Sequence, residues 1–313
     1  MLTFIIRRIL AGVVLLFVIS SLAFGLMYLD SANIARRLVG QTATAETVQQ
    51  RAQELGLDRP LVVQYWDWLT SALTGDFGRS WFNGQLVIVS LSGRLAVTLT
   101  LVIGTTIITA IVSVILGVLA ARRGGAVDTI VQFISVLGFA IPGFLIAVYL
   151  VLIFAINLGW FKATGYTPIT DSVGGWLASI TLPIIALSLG AIAAVTQQIR
   201  GSVIDAMSRD YVRTLRARGL RSGSVVYKHV LRNAGGPALA VLAVQFIGLL
   251  GGALIVEQVF ALPGLGQLTV AAGTQGDIPV VMGVVVVTAL IVIIVNLIID
   301  LAQAALNPKV RLS

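Results

Sequence analysis

The chain has 313 residues, 58% of them hydrophobic and 11% charged, with a formal net charge of +8 and a mean hydropathy of +0.99. That balance excludes an ordinary soluble globular protein and fits a chain solvated by lipid, because the apolar residues come in long runs. The absence of cysteine excludes disulfides and thiolate metal sites, and the single His229 cannot build a histidine cluster, so no metal site is expected.

In chain order, Arg7 and Arg8 precede the first apolar run, 9–29. A cleaved signal peptide also begins this way, but a run of about 21 residues is longer than a typical cleaved apolar region, and a retained span is preferred. Further charge-free apolar stretches lie at 95–121, 130–158, 177–199, 237–256 and 280–299. Each can cross a hydrocarbon core about 30 Å thick at about 1.5 Å per residue. The expectation is an all-α membrane protein, a six-span helical bundle with both termini on one side. Its divisions are 1–29 (first span), 30–94 (external segment), 95–199 (second to fourth spans), 200–236 (a polar loop) and 237–313 (fifth and sixth spans with the C-terminus).

The basic residues set the orientation. Fourteen of the 21 lysines and arginines fall on the side of the termini, among them Arg122, Arg123, Lys309, Arg311 and eight between Arg200 and Arg232. That side is the cytoplasm by the positive-inside rule. Charge placed between spans in this way orients the chain, so no nucleic-acid partner is expected. Six arginines in the long segment 30–94 weigh little, because long translocated segments obey the rule poorly. That segment reads equally as a cap on the outer ends of the spans and as a docking surface for an external partner.

The loop 200–236 carries an amphipathic pattern. Val203, Met207, Tyr211 and Leu215 recur every four residues, while Arg209, Arg213 and Arg216 follow another face, which predicts one helix. Gly219 and Gly223 permit turns, and a further short helix is expected up to Pro237. Charge alone leaves two readings: a helix lying on anionic headgroups, and a rigid knob inserted into a cytoplasmic partner.

Catalytic chemistry is missing. There is no H-E-x-x-H, no G-x-S-x-G and no G-x-x-x-x-G-K-[ST], and the spans hold no Asp, Glu, His or Lys to act as a base. The chain is not expected to be an enzyme, and any nucleotide-driven work needs another chain to hydrolyse the nucleotide. The scarcity of intramembrane charge also disfavours an ion-coupled transporter or voltage sensor. Pro142 and Gly143 are expected to interrupt the third span, Pro183 to bend the fourth, and Gly248 and Gly252 to give the fifth a face for close packing. A self-contained channel or secondary transporter, and a membrane scaffold or enzyme, stand as the other classes.

The polar loop carries more than charge. Asp210-Tyr211-Val212-Arg213-Thr214-Leu215-Arg216-Ala217-Arg218-Gly219-Leu220, followed by His229-Val230-Leu231-Arg232-Asn233-Ala234 and Pro237, resembles the signature loop of bacterial ABC importer permeases, in its oligopeptide/dipeptide/nickel branch. Leu55-Gly56-Leu57-Asp58-Arg59-Pro60, Gly75-Asp76-Phe77-Gly78-Arg79-Ser80, Ile141-Pro142-Gly143-Phe144, Leu158-Gly159-Trp160 with Gly165-Tyr166, Val256-Glu257-Gln258-Val259-Phe260 and Pro263-Gly264-Leu265-Gly266 extend the likeness to the first permease of that branch over nearly the whole chain. Leu215 departs from it, standing where the branch usually has alanine.

The resemblance implies the type I ABC importer permease fold in a bacterial cell membrane, with both termini cytoplasmic. It implies a second homologous permease, two ABC ATPase subunits and an external substrate-binding protein as partners beside membrane lipid, with peptides as cargo. ATP and Mg would sit on the ATPases, and this chain would need no cofactor. By the same resemblance Tyr211, Arg213, Thr214, Leu215, Arg216, Ala217, Arg218, Gly219 and Leu220 belong to the ATPase-coupling helix. Glu257, Phe260, Pro263 and Gly264 are the candidates for an external or gating role.

Overall fold

The structure, a computed structural model, describes residues 2–29 and 31–306. Lys309 and Arg311, assigned above to the side of the termini, lie outside the described residues. In chain order the helices are α1 (Leu2–Tyr28), α2 (Ser31–Val39), α3 (Ala45–Glu54), α4 (Leu61–Leu73), α5 (Val87–Arg123), α6 (Gly125–Ala140) and α7 (Gly143–Leu150), which runs on as a π-helical turn over Val151–Asn157. They continue with α8 (Val173–Ser208), α9 (Asp210–Ala217), α10 (Ser222–Val225), α11 (Leu231–Val259), α12 (Leu265–Gln275) and α13 (Ile278–Leu306), with a second π-helical turn, Val226–Val230, leading into α11.

Two compact units divide the chain, one of residues 98–262 and 294–306, the other of residues 2–97 and 263–293. In the first, α8 is the central helix, packed by α6, α7 and α11. Its approach to α5 is possible because α5 presents small residues. A Cβ on Gly104 would stand 2.8 Å from Ile184, and one on Gly117 would stand 2.8 Å from Ile199 and 3.0 Å from the Thr196 carbonyl. Ser113 donates to the Ile192 carbonyl on the same face. Lipid tails offer no hydrophobic drive between spans, so close backbone approach of this kind is what holds them. Within this chain Gly252 meets Leu187 only at ordinary contact distance and Gly248 meets nothing within 4 Å, whereas the glycines of α5 make the tight approaches.

In the second unit the segment after α1 folds back on it. Tyr65 of α4 is buried against Phe24 and Phe17, its hydroxyl 2.8 Å from Ser20 Oγ, and Tyr28 Oη lies 3.0 Å from the carbonyls of both Leu57 and Arg59, which share its one proton. Ile34, Ile278 and Met282 complete this core. Outward, α1 exposes Leu10, Val13, Val14, Phe17, Leu22 and Leu26, a surface that only lipid or another apolar chain tolerates.

Among the described residues five helices are long and apolar enough to cross a membrane, and α6 with α7 makes a sixth crossing if the bent pair counts as one. The pair bends by 93°. Pro142 forces Ile141 out of the helical region (φ −94°, ψ 118°), so the predicted third span is two helices and not one interrupted rod. Pro183, by contrast, lies within continuous α8. Pro237 does not end a short helix as expected: it lies inside α11, whose helical path already begins at Ser222.

Candidate functional site

The predicted single helix through Val203, Met207, Tyr211 and Leu215 is two helices. Arg209 adopts an extended conformation (φ −72°, ψ 149°) between α8 and α9, breaking the helix and serving as the N-cap of the second piece. The four residues still reach one core, because the break turns α9 back onto it. Val203, Val212, Val225, Val226 and Val230 are buried there, with Met207, Tyr211, Leu215 and Leu220 packed around them. The periodicity was a signal of shared burial, and burial does not require one axis.

Helix α9 is short, and an eight-residue helix is marginal by itself. Its ends supply what length does not. Asp210 lies in the first turn and Arg216 in the last, each matched to the helix dipole. At the C-terminus Gly219 sits at φ +79°, its amide donates to the Arg216 carbonyl at 2.9 Å, and the Leu220 amide reaches the Leu215 carbonyl at 3.3 Å. This is a Schellman cap, with Leu215 and Leu220 supplying its apolar contact on the core. Leu215, the departure from the branch's alanine, therefore serves the inside of the module.

Of the predicted coupling residues, Tyr211, Leu215 and Leu220 are half-buried, whereas Arg213, Thr214, Arg216, Ala217, Arg218 and Gly219 are exposed. The Asp210–Arg213 ion pair, at 3.8 Å with both partners open to solvent, adds little to the helix. The outer face of α9 is thus a short row of arginines on a firmly seated helix. Two residues outside the predicted set do the seating. Val212 is completely buried, and Asn233 of α11 donates from Nδ2 to Tyr211 Oη at 3.1 Å.

A further tie lies about two turns back from the end of α8, where Arg200 grips Asp128 of α6 through two hydrogen bonds, Nε to Oδ1 and Nη2 to Oδ2, the latter at 2.6 Å. Gln132 Nε2 donates to the same carboxylate. Separated by 72 positions, the pair left no local signal in the sequence.

The external candidates occupy the other end of α11. Glu257 is completely buried and accepts a hydrogen bond from the Thr98 hydroxyl at 2.6 Å. Phe260 is buried too, and its carbonyl accepts from the Gly165 amide at 2.9 Å, which ties the loop after the π-helical turn to the end of α11. Ala261, at φ +49°, occupies the capping position, and the Leu262 amide reaches the Glu257 carbonyl at 2.9 Å. Pro263 is exposed, while Gly264 is buried and caps α12. These two belong to the second unit, and Glu257 and Phe260 to the first.

Within that second unit, sequence reasoning passed over Asp277. Its carboxylate is buried and accepts from Ser80 Oγ at 2.5 Å and from the Trp81 amide at 3.2 Å. The run Gly276-Asp277 shortly before Pro279 is a helix-stop signal that marks the turn, although not the carboxylate's partners.

A family model described as "Binding-protein-dependent transport system inner membrane component" matches residues 113–312, and one for the N-terminal part of such membrane components matches residues 1–102. The chain is 36% identical over 309 residues to a protein of Sinorhizobium fredii named a probable peptide ABC transporter permease, covering 98% of this chain and 99% of that one. It is 35% identical over 312 residues to the glutathione transport system permease protein of Escherichia coli, covering 99% of each. A chain of the solved MetNI methionine ABC transporter shares its fold at a TM-score of 0.56 and 19% identity, over 70% of this chain and 97% of that one.

Proposed function

The chain belongs to the family of inner membrane components of binding-protein-dependent transport systems, and from that premise we propose that it forms half of a pathway for short peptides, driven through α9. It is a multi-pass protein of the bacterial inner membrane and the permease of a binding-protein-dependent ABC importer. Both relatives named above carry peptide or glutathione in their names, which supports a short peptide as cargo. The second half of the pathway is a homologous permease, cargo arrives from an external binding protein, and two ATPase subunits hold ATP and Mg. Both termini face those ATPases, on the side where the arginines concentrate.

The observation that carries this reading is the construction of α9 and its cap: exposed Arg213, Arg216 and Arg218 on a helix fixed by a buried valine, a glycine cap and a hydrogen bond to α11. Coupling needs a rigid element whose two positions the motor stabilises unequally. When the ATPases close, α9 moves with them. Tyr211–Asn233 and the shared core carry the displacement into α8 and α11, and Arg200–Asp128 carries it on to α6. Glu257 and Phe260 at the far end of α11 then change the closure of the outer end. Arginine suits the contact because its planar fork pairs with carboxylates of a partner groove.

Reconstitution tests the reading. Vesicles that contain this chain, its co-purifying permease and ATPases, and the binding protein are expected to accumulate di- or oligopeptide on ATP addition. Uphill uptake by vesicles holding this chain alone would overturn it.

A further inference from the structure

At the arginine-rich end of the unit containing 98–262, α5 borders a groove that the coupling device leaves unused. Val114, Ile115, Val118 and Leu119 form its walls, and its volume is about 450 Å3. Arg122, Arg123 and Tyr227 line it as well. Arg122 is held there: Nη1 lies 3.4 Å from Tyr227 Oη, and the guanidinium carbon lies 5.6 Å from the Tyr227 ring centroid, within cation–π range. Neither arginine is ion-paired with a carboxylate among the described residues, and the nearby Asp128 is already engaged by Arg200.

Arginines that end a span are ordinarily explained by orientation alone. Orientation does not explain an apolar trough beneath two uncompensated cations and a tyrosine. The trough also has a continuation. Ile103, Ile107, Ile111 and Ile115 are all exposed, and their four-residue spacing makes them one stripe along α5. A ligand matching the whole feature has an anionic head for the guanidinium pair and a hydrocarbon tail for the stripe.

We propose that this groove is a site for an anionic phospholipid, with its phosphate between Arg122 and Arg123, the Tyr227 hydroxyl donating to it, and an acyl chain along Ile115, Ile111 and Ile107. Basic pockets at the ends of spans select anionic headgroups in this way, and charge-assisted bonds to phosphate are the strong ones. Val118 gives the site a consequence, since it lines the groove and also belongs to the core that seats α9. The bound lipid stiffens the footing of that helix. Binding is independent of the transport reading and is measured without uptake.

The test uses the full chain, in the complex with which it leaves the membrane, in nanodiscs of phosphatidylcholine with a minor share of phosphatidylglycerol. Native mass spectrometry of the wild type is expected to retain phosphatidylglycerol, and the double variant Arg122→Gln/Arg123→Gln to lose it, with affinity reduced about tenfold or more. The matched double variant Arg7→Gln/Arg8→Gln, with the same loss of charge elsewhere, keeps the lipid. Tyr227→Phe, which preserves the ring and deletes only the hydroxyl, weakens retention about two- to threefold and guards against a folding defect in the double variant. Inorganic phosphate does not compete, and a photocrosslinker at Ile115 captures lipid. Equal retention by wild type, the Arg122/Arg123 double variant and Tyr227→Phe would overturn the proposal, and so would capture of a protein by the Ile115 crosslinker.

Discussion

Helices α9 and α11 end in the same cap built on different residues. At α9 the left-handed position is Gly219, exposed, with nothing within 4 Å of where a Cβ would be. At α11 it is Ala261, a residue that L-chirality disfavours there by about 1 kcal/mol. The alanine is tolerated because its neighbours leave the chain no alternative. Glu257, Phe260 and Leu262 are buried, and the Phe260 carbonyl is tied to Gly165. The lesson is that a cap whose flanking residues are buried can carry strain, whereas a cap with its left-handed residue in solvent has fewer contacts to hold it and takes the relaxed residue.

The largest expected effect is at the relaxed cap. Gly219→Asp strains the turn and sets a carboxylate among arginines, so peptide uptake is expected to be lost and ATPase activity uncoupled while membrane insertion is retained. Normal uptake by reconstituted vesicles would remove α9 from the coupling path. Glu257→Ala, which deletes the acceptor of the Thr98 hydroxyl in the packed cap, is expected to destabilise by about 1–3 kcal/mol, read as a lower unfolding midpoint in detergent, with Glu257→Gln close to wild type.

Arg213→Glu leaves the cap intact and reverses one charge on the exposed face, so its effect is on partners and not on folding. Association with the ATPases is expected to weaken about tenfold at physiological salt, and an unchanged pull-down would argue against the arginine row as the contact. The smallest effect sharpens the comparison from the other side. Ala261→Gly relieves the left-handed strain and is expected to raise stability by a few tenths to about 1 kcal/mol, part of the gain being offset by the freedom glycine adds to the unfolded chain. The same measurement on Ala261→Val should fall below wild type.

Much of this was legible in the residues. The positions of the crossings followed from uninterrupted apolar runs, and the turn at Gly219 from glycine behind an amphipathic stretch. The 93° bend at Ile141–Pro142 was legible as an interruption but not as an angle, because proline forbids one conformation of its predecessor without choosing among the rest. The single helix expected through residues 203–215 failed at Arg209, where nothing in the residue type marks a break. Asp128, Arg200 and Asn233 gave no warning of their roles, since each depends on a partner distant in the chain.

By itself the sequence determined the solvent of this protein and the number and placement of the apolar runs that need one. Those are local properties: hydropathy, charge and spacing act on the chain wherever it folds. Tertiary structure alone decided that α9 turns back onto the core of α8 and α11, that a buried glutamate meets Thr98, and that an alanine holds a glycine's conformation. Each of these is an arrangement between residues far apart in sequence, chosen by the packing around them.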